Sequence, residues 1–144
     1  MATNVRPARF EDIAAMHRLR LAVRENRLAA GAGIDERSYQ PFVTDGAAWV
    51  AMRGERLVGF AAVDRGQRTV WAMFVDPGAE REGVGTMLHR HMLAWAAEAG
   101  LGRLRLTTEA GSRADGFYRA AGWRDAGLSP HGERCFVIQL PSHP

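Results

Sequence analysis

The sequence predicts an α/β protein: a mixed, largely antiparallel sheet with a central parallel β–α–β pair and helices on both faces. Three observations carry this. An amphipathic helical pattern near the start is followed by three apolar runs separated by short polar turns, which read as a meander. A strand–loop–helix–strand unit then spans Thr69 to Thr108, and strands joined through a helix cross over and run parallel. The chain closes on a short helix and two more strand-like runs.

The elements follow in order. After an extended start at Asn4 to Arg6, a helix is expected from about Glu11 to Leu28. Ile13, Met16, Leu19 and Val23 share its broad apolar face, and Gly31 and Gly33 end it. A short helix or turn is expected over Asp35 to Gln40, closed by Pro41. Trp49 to Met52 and Leu57 to Val63 flank the polar turn Arg53-Gly54-Glu55-Arg56, a hairpin pattern. Gly66-Gln67 turns the chain into a third run, Thr69 to Val75, which stops at Asp76-Pro77. The polar loop Gly78 to Glu82 leads into a helix from Gly83 to about Ala99, with Val84, Leu88, Met92 and Trp95 in its apolar stripe. Arg103 to Thr108 alternates as a strand, Ala114 to Ala121 is a short helix, and Gly122 stops it. Trp123 to Ala126 and Glu133 to Leu140 are the last strands. Phe136, Ile138 and Leu140 would leave an apolar edge there, so a homodimer is expected.

Composition narrows the function. At 144 residues the chain fits one domain, 1–144, and 47% hydrophobic with 24% charged residues is ordinary for a globular protein. Disordered, coiled-coil and collagen-like chains are excluded. No apolar run approaches the roughly 20 residues that span a bilayer, and the N-terminus lacks the apolar region of a secretory signal. The single cysteine, Cys135, cannot form a disulfide within the chain and reads as a small buried hydrophobe. A cytoplasmic address with no membrane partner is therefore expected. All 19 basic residues are arginine, set against 16 acidic residues for a net charge of +3. They are interleaved with Asp and Glu rather than clustered, which argues against a nucleic-acid partner. The lack of lysine also removes Schiff-base chemistry.

The chemistry is expected at the strand-to-helix loop, because ligands of such sheets sit at the carboxyl ends of parallel strands. Gly83 and Gly85 let a ligand approach the backbone, and the free amides of the first helical turn favour a pyrophosphate. On the glycines alone, a tight packed turn is as good a reading. A dinucleotide fingerprint fails because Leu88 stands where a third glycine is needed. A Walker loop fails because Thr86 stands where a lysine is needed.

Val75-Asp76-Pro77 followed by Gly83-Val84-Gly85-Thr86-Met87-Leu88 matches a V-x-P…G-x-G-x-x-L signature, and Ala114-Asp115-Gly116-Phe117-Tyr118 to Gly122-Trp123 matches an A-x-x-F-Y-x-x-x-G-F block. The pattern resembles the GNAT superfamily of acyl-CoA-dependent N-acyltransferases over essentially the full length. Two departures are visible: Glu80, followed by Arg81, where the family often has Gln or Arg, and Gly111 where it often has Asn. The resemblance implies acetyl-CoA as cosubstrate, lying between the strands Thr69–Val75 and Arg103–Thr108. Backbone groups of Met73, Phe74 and Val75 would pair with its pantetheine arm. The amides of Arg81, Glu82, Gly83, Val84, Gly85 and Thr86 would hold its pyrophosphate. It also implies that Tyr118 protonates the leaving thiolate; from the helix pattern alone, Phe117 and Ala121 point inward and Tyr118 lies at the edge of the stripe, which a core tyrosine would do equally.

Glu109, just past its strand, is a candidate base for the incoming amine, against a solvated loop carboxylate. Glu25 and Asn26, near the end of the first helix, are candidate acceptor contacts; Glu25 would hold a second cationic group or take a proton, against pairing with an arginine on its own helix. His89 and His91, two apart on a helix, point away from each other and share no metal; His91 falls in the apolar stripe and reads as the core histidine. No metal is expected. The function expected is transfer of an acetyl group from acetyl-CoA to a primary amine, small molecule or peptide, by direct attack in a ternary complex. The alternative is a non-catalytic acyl-CoA-binding module.

Overall fold

Alternating apolar residues in the middle of the chain pair into a sheet, and the amphipathic segments cover its two faces. The computed structural model describes residues 2–24 and 33–141. The elements are β1 (Asn4–Pro7), α1 (Ile13–Arg24), α2 (Gln40–Thr44), β2 (Ala48–Arg53), β3 (Arg56–Asp64), β4 (Thr69–Val75), α3 (Val84–Glu98), β5 (Arg103–Glu109), α4 (Arg113–Ala120), β6 (Arg124–Leu128) and β7 (Glu133–Gln139), with 3-10 turns at Phe10–Asp12, Glu36–Tyr39 and Pro77–Ala79. The seven strands lie in the order β1-β2-β3-β4-β5-β7-β6. Neighbours are antiparallel except β4 and β5, which run parallel. This is the mixed sheet the sequence predicts.

Two apolar layers hold it. On one face Val84, Leu88 and Met92 of α3 pack with Tyr118 of α4 over Val58, Leu104 and Phe136. On the other, Ile13, Met16 and Leu19 of α1 pack with Tyr39 over Val50, Phe60 and Phe74. Asp12 ends the turn before α1: its buried carboxylate accepts from Arg6 at 2.8 and 3.0 Å and from the Arg9 N–H at 2.7 Å.

Two expectations are corrected. Pro41 does not close the segment after Asp35; it sits in the first turn of α2, where the missing N–H has no helical partner to lose. The last strand is not an apolar edge. β7 threads between β5 and β6, its Phe136 is fully buried, and the exposed edge is β6, whose five residues all face solvent. The basis for expecting a homodimer is therefore absent from this sheet.

The feature that places the site lies in β4. Its pairing with β3 slips between Ala62 and Val63, which leaves Trp71 as an extra residue. A bulge bends its strand and increases its twist. β4 meets β5 at one position, Thr69 opposite Arg105, with the Arg105 N–H donating to the Arg68 carbonyl at 3.0 Å. Beyond that pair the two strands part.

Candidate active site

The parted strands enclose a cleft of about 370 Å³, walled by Val70 to Val75 on one side and by Leu106, Thr107 and Thr108 on the other. Gly83, Gly85 and Thr86 of the α3 start and Phe117 and Tyr118 of α4 close one end. Val23 of α1, with the Trp71 and Phe74 side chains, faces the other. The cleft thus joins the two faces of the sheet.

The α3 start is shaped for an anion. Gly83 caps the helix in the left-handed conformation, φ 84°, and Arg81 just before it is also left-handed, φ 67°. A non-glycine there carries strain that the loop must hold in place. The helical ladder opens with the Met87 N–H donating to the Gly83 carbonyl at 3.0 Å, so the amides of Val84, Gly85 and Thr86 have no intrahelical acceptor. A Cβ on Gly85 would meet Phe117 at 3.5 Å and Val75 at 3.7 Å, ordinary contacts. The protein's own packing does not require glycine at 85.

Tyr118 lies beside this loop with its ring 5.3 Å from Phe117, 5.4 Å from Trp123 and 6.2 Å from Phe136. It is the buried member of the pair and Phe117 the half-buried one, the reverse of the order read from the helix pattern. Burial pushes its phenol well above the usual value, so it stays protonated and able to donate. α4 is held rigidly. The Ser112 hydroxyl accepts from the Asp115 N–H at 3.2 Å, and Asp115 accepts from the Gly111 N–H and from Arg119 Nε, both at 2.8 Å. The Gly111 amide is the leading cause that keeps the Asp115 carboxyl below its usual range.

The sequence matches the family described as Acetyltransferase (GNAT) family over residues 13–123. The chain belongs to the GNAT acetyltransferase family. Among solved structures, an N-acetyltransferase from Staphylococcus aureus Mu50 has a TM-score of 0.83 at 17% identity, covering 98% of this chain and 100% of that one. The paia N-acetyltransferase from Thermoplasma acidophilum, in complex with coenzyme A, has a TM-score of 0.75 at 12% identity, covering 97% and 100%. N-acetylglutamate synthase from Neisseria gonorrhoeae, complexed with coenzyme A and N-acetyl-glutamate, has a TM-score of 0.78 at 17% identity, covering 98% of this chain and 36% of that longer one. At such identities the likeness shows the GNAT fold. No curated protein matches the sequence.

Of the residues expected in the GNAT cofactor site, Met73, Phe74, Val75, Arg81, Gly83, Val84, Gly85 and Thr86 all line the cleft. Glu82 does not: its carboxylate is held by Arg53 Nη1 at 3.0 Å, leaving only its backbone for the expected role. Glu80, the departure from the family pattern, faces the cleft and is paired with Arg113 at 2.8 Å. That pair sets an arginine of the α4 start at the mouth of the cleft. Asp76 braces the loop from behind, accepting from the Gly78 N–H and from Arg56 Nη2, both at 2.8 Å.

Glu109 ends β5 opposite Glu133, exposed and outside the lining that stops at Thr108 on that strand. Glu25 and Asn26 lie outside the described residues. His91, read as the core histidine, is exposed, with its Nδ1 3.0 Å from the Met87 carbonyl. His89 takes the core place: its Nε2 accepts from the Trp123 indole N–H at 2.9 Å, which fixes a neutral ring, and burial lowers its pKa. Cys135 is half-buried on β7 opposite Thr107. Among the described residues no group of three His, Cys, Asp or Glu side chains could hold a metal ion. Nor is any described helix long and apolar enough to cross a membrane.

Sequence reasoning missed Trp71 and Arg113 on the cleft wall and Arg20 behind it. Arg20 had a signal, since it interrupts the apolar run Met16, Leu19, Val23 on the inner face of α1.

Proposed function

We propose that the chain transfers an acetyl group from acetyl-CoA to a primary amine by direct attack in a ternary complex. One observation supports this above the rest. A helix start with free amides and a protonated, buried tyrosine share one cleft, and that cleft is open toward the opposite face of the sheet. The amides of Val84, Gly85 and Thr86 would hold the pyrophosphate, and the free edge of β4 at Met73 to Val75 would pair with the pantetheine amides as an added strand does. The thioester supplies an activated acyl carbon for a neutral amine to attack.

The chain's own work is then proton transfer and positioning. Tyr118 donates its hydroxyl proton to the departing sulfur, and its raised pKa keeps that proton available at neutral pH. Glu109, one residue beyond the lining Thr108, takes the amine's proton through water, because its side chain does not itself line the cleft. The coenzyme A bound by two of the similar structures agrees with this reading. The test is thiol release from acetyl-CoA with a panel of amines. Turnover with at least one amine is expected. Saturable acetyl-CoA binding with no turnover across the panel would replace the enzyme by an acyl-CoA-binding module.

A further inference from the structure

A buried cation lies behind the cleft wall at its second end. Arg20 projects from α1 into the face opposite the Gly83 loop and is 7% exposed. Its guanidinium carbon lies 4.7 Å from the centre of the Trp71 ring and 5.1 Å from that of Phe74, and both residues form the cleft wall. Val23, one turn further along α1, lines the cleft itself. Among the described residues, the buried Arg20 Nε and Nη1 have no hydrogen-bond partner, and no carboxylate pairs with this side chain. Its polar neighbour is the Tyr39 phenol, whose pKa burial raises and the Arg20 cation opposes.

Burying a charge without a counter-ion is costly, and arginine cannot escape by losing its proton. The two aromatic rings offset part of that cost by attraction to the cation. They do not satisfy the N–H groups on Nε and Nη1, which have no partner among the described residues. An anionic oxygen brought to these nitrogens would make a strong, charge-assisted hydrogen bond.

We propose that Arg20 binds a carboxylate of the acceptor, so that the acceptors of this enzyme are amines that also carry a carboxyl group, amino acids in the chemical sense. The inference rests on the transferase reading above and deepens it. The phosphates of the cosubstrate would have their own cradle at Gly83, on the other side of the sheet, so the anion is assigned to the acceptor. A single planar cation flanked by two rings fits one small planar monoanion, and the carboxylate is the form of it that amines commonly carry. The Arg20 side would hold the carboxylate while the amine reaches through the parted strands toward the thioester.

The experiment compares matched acceptors, free amino acids against their carboxamides, by thiol release with the wild-type protein and with Arg20→Met and Arg20→Lys. The free acids are expected to show a KM roughly 10- to 100-fold below the amides, the range carried by a hydrogen bond to a charged group. Arg20→Met should remove that preference while the KM for acetyl-CoA stays unchanged, and Arg20→Lys should restore part of it. Equal wild-type turnover of acids and amides, or preference for the amides, overturns this inference and leaves the transferase reading standing. An Arg20→Met enzyme that keeps the acid preference also overturns it. If neither variant folds, the wild-type comparison alone decides. Absence of turnover with every amine overturns the transferase reading and this inference together.

Discussion

Tyr118 is the residue on which the proposed chemistry turns, and its surroundings explain why it stays protonated. Phe117, Trp123 and Phe136 surround the ring, and removal from water penalises the phenolate. Tyr118→Phe keeps the ring and its packing and deletes only the hydroxyl. The expected outcome is a drop in kcat of roughly 10- to 1000-fold, near the contribution of a general acid, with little change in the KM for acetyl-CoA. Because the phenol titrates above its usual value, wild-type activity should show no Tyr118-dependent loss at any pH below about 10. Unchanged turnover in the variant would return Tyr118 to the core. This residue was legible in the sequence because its block of spacing is distinctive. Arg20 was not, because an arginine in an apolar stripe usually means a side chain that reaches solvent, and only the positions of Trp71 and Phe74 show that this one stays buried.

At the level of elements, the site is made where two regular features fail. The bulge at Trp71 parts β4 from β5, and the left-handed residues Arg81 and Gly83 turn the chain so that α3 starts with its amides toward the gap. Strand and helix existence, the parallel pair and the loop were legible from periodicity and glycine placement. The bulge was not, since an extra residue leaves no mark in a run as uniformly apolar as Thr69 to Val75. The order of the last strands was hidden too, because β6 and β7 both follow α4 and their alternation does not say which one enters the sheet. The loop geometry gives a sharp expectation. Gly85→Val places a branched side chain where the Cβ itself meets only ordinary contacts to Phe117 and Val75, so the fold should survive. The added methyl groups would occupy the space above the amides. Acetyl-CoA at about 100 times its Kd should stabilise the wild type by about 2.7 kcal/mol, a rise of roughly 5–10 °C in Tm. Gly85→Val should lose that rise while keeping cooperative unfolding. A retained rise would remove the pyrophosphate from this loop.

At the scale of the whole molecule, the carboxylates and the histidine that tie the elements together pull stability in one direction. The Asp115 carboxyl is kept low by the Gly111 amide and then by Arg119. That of Asp125 is kept low by the Gly127 amide and then by Arg119 and Arg134. For Asp12 burial acts upward, and the Arg6 guanidinium and the Arg9 amide outweigh it. His89 is lowered by burial alone, and its bond to Trp123 ties α3 to the turn after α4. In each case the folded pKa lies below the unfolded one, so the unfolded chain binds more protons in the window between them. Stability from these groups is complete above the unfolded pKa and is lost as pH falls through the folded one. His89 comes first, since a free histidine titrates near 6.5, and the carboxylates follow below about 4. Denaturant unfolding should therefore give a flat stability between about pH 7 and about pH 9 and a first decline beneath about 6.5, no steeper than about 1.4 kcal/mol per pH unit for the one proton involved. The carboxylates then bring a second, steeper fall. His89→Gln keeps an acceptor for the Trp123 indole and does not titrate, so it should erase the first decline and leave the acid limb in place. A decline that persists unchanged in His89→Gln would move the pH sensitivity to another group and leave the buried His89–Trp123 bond a purely structural tie.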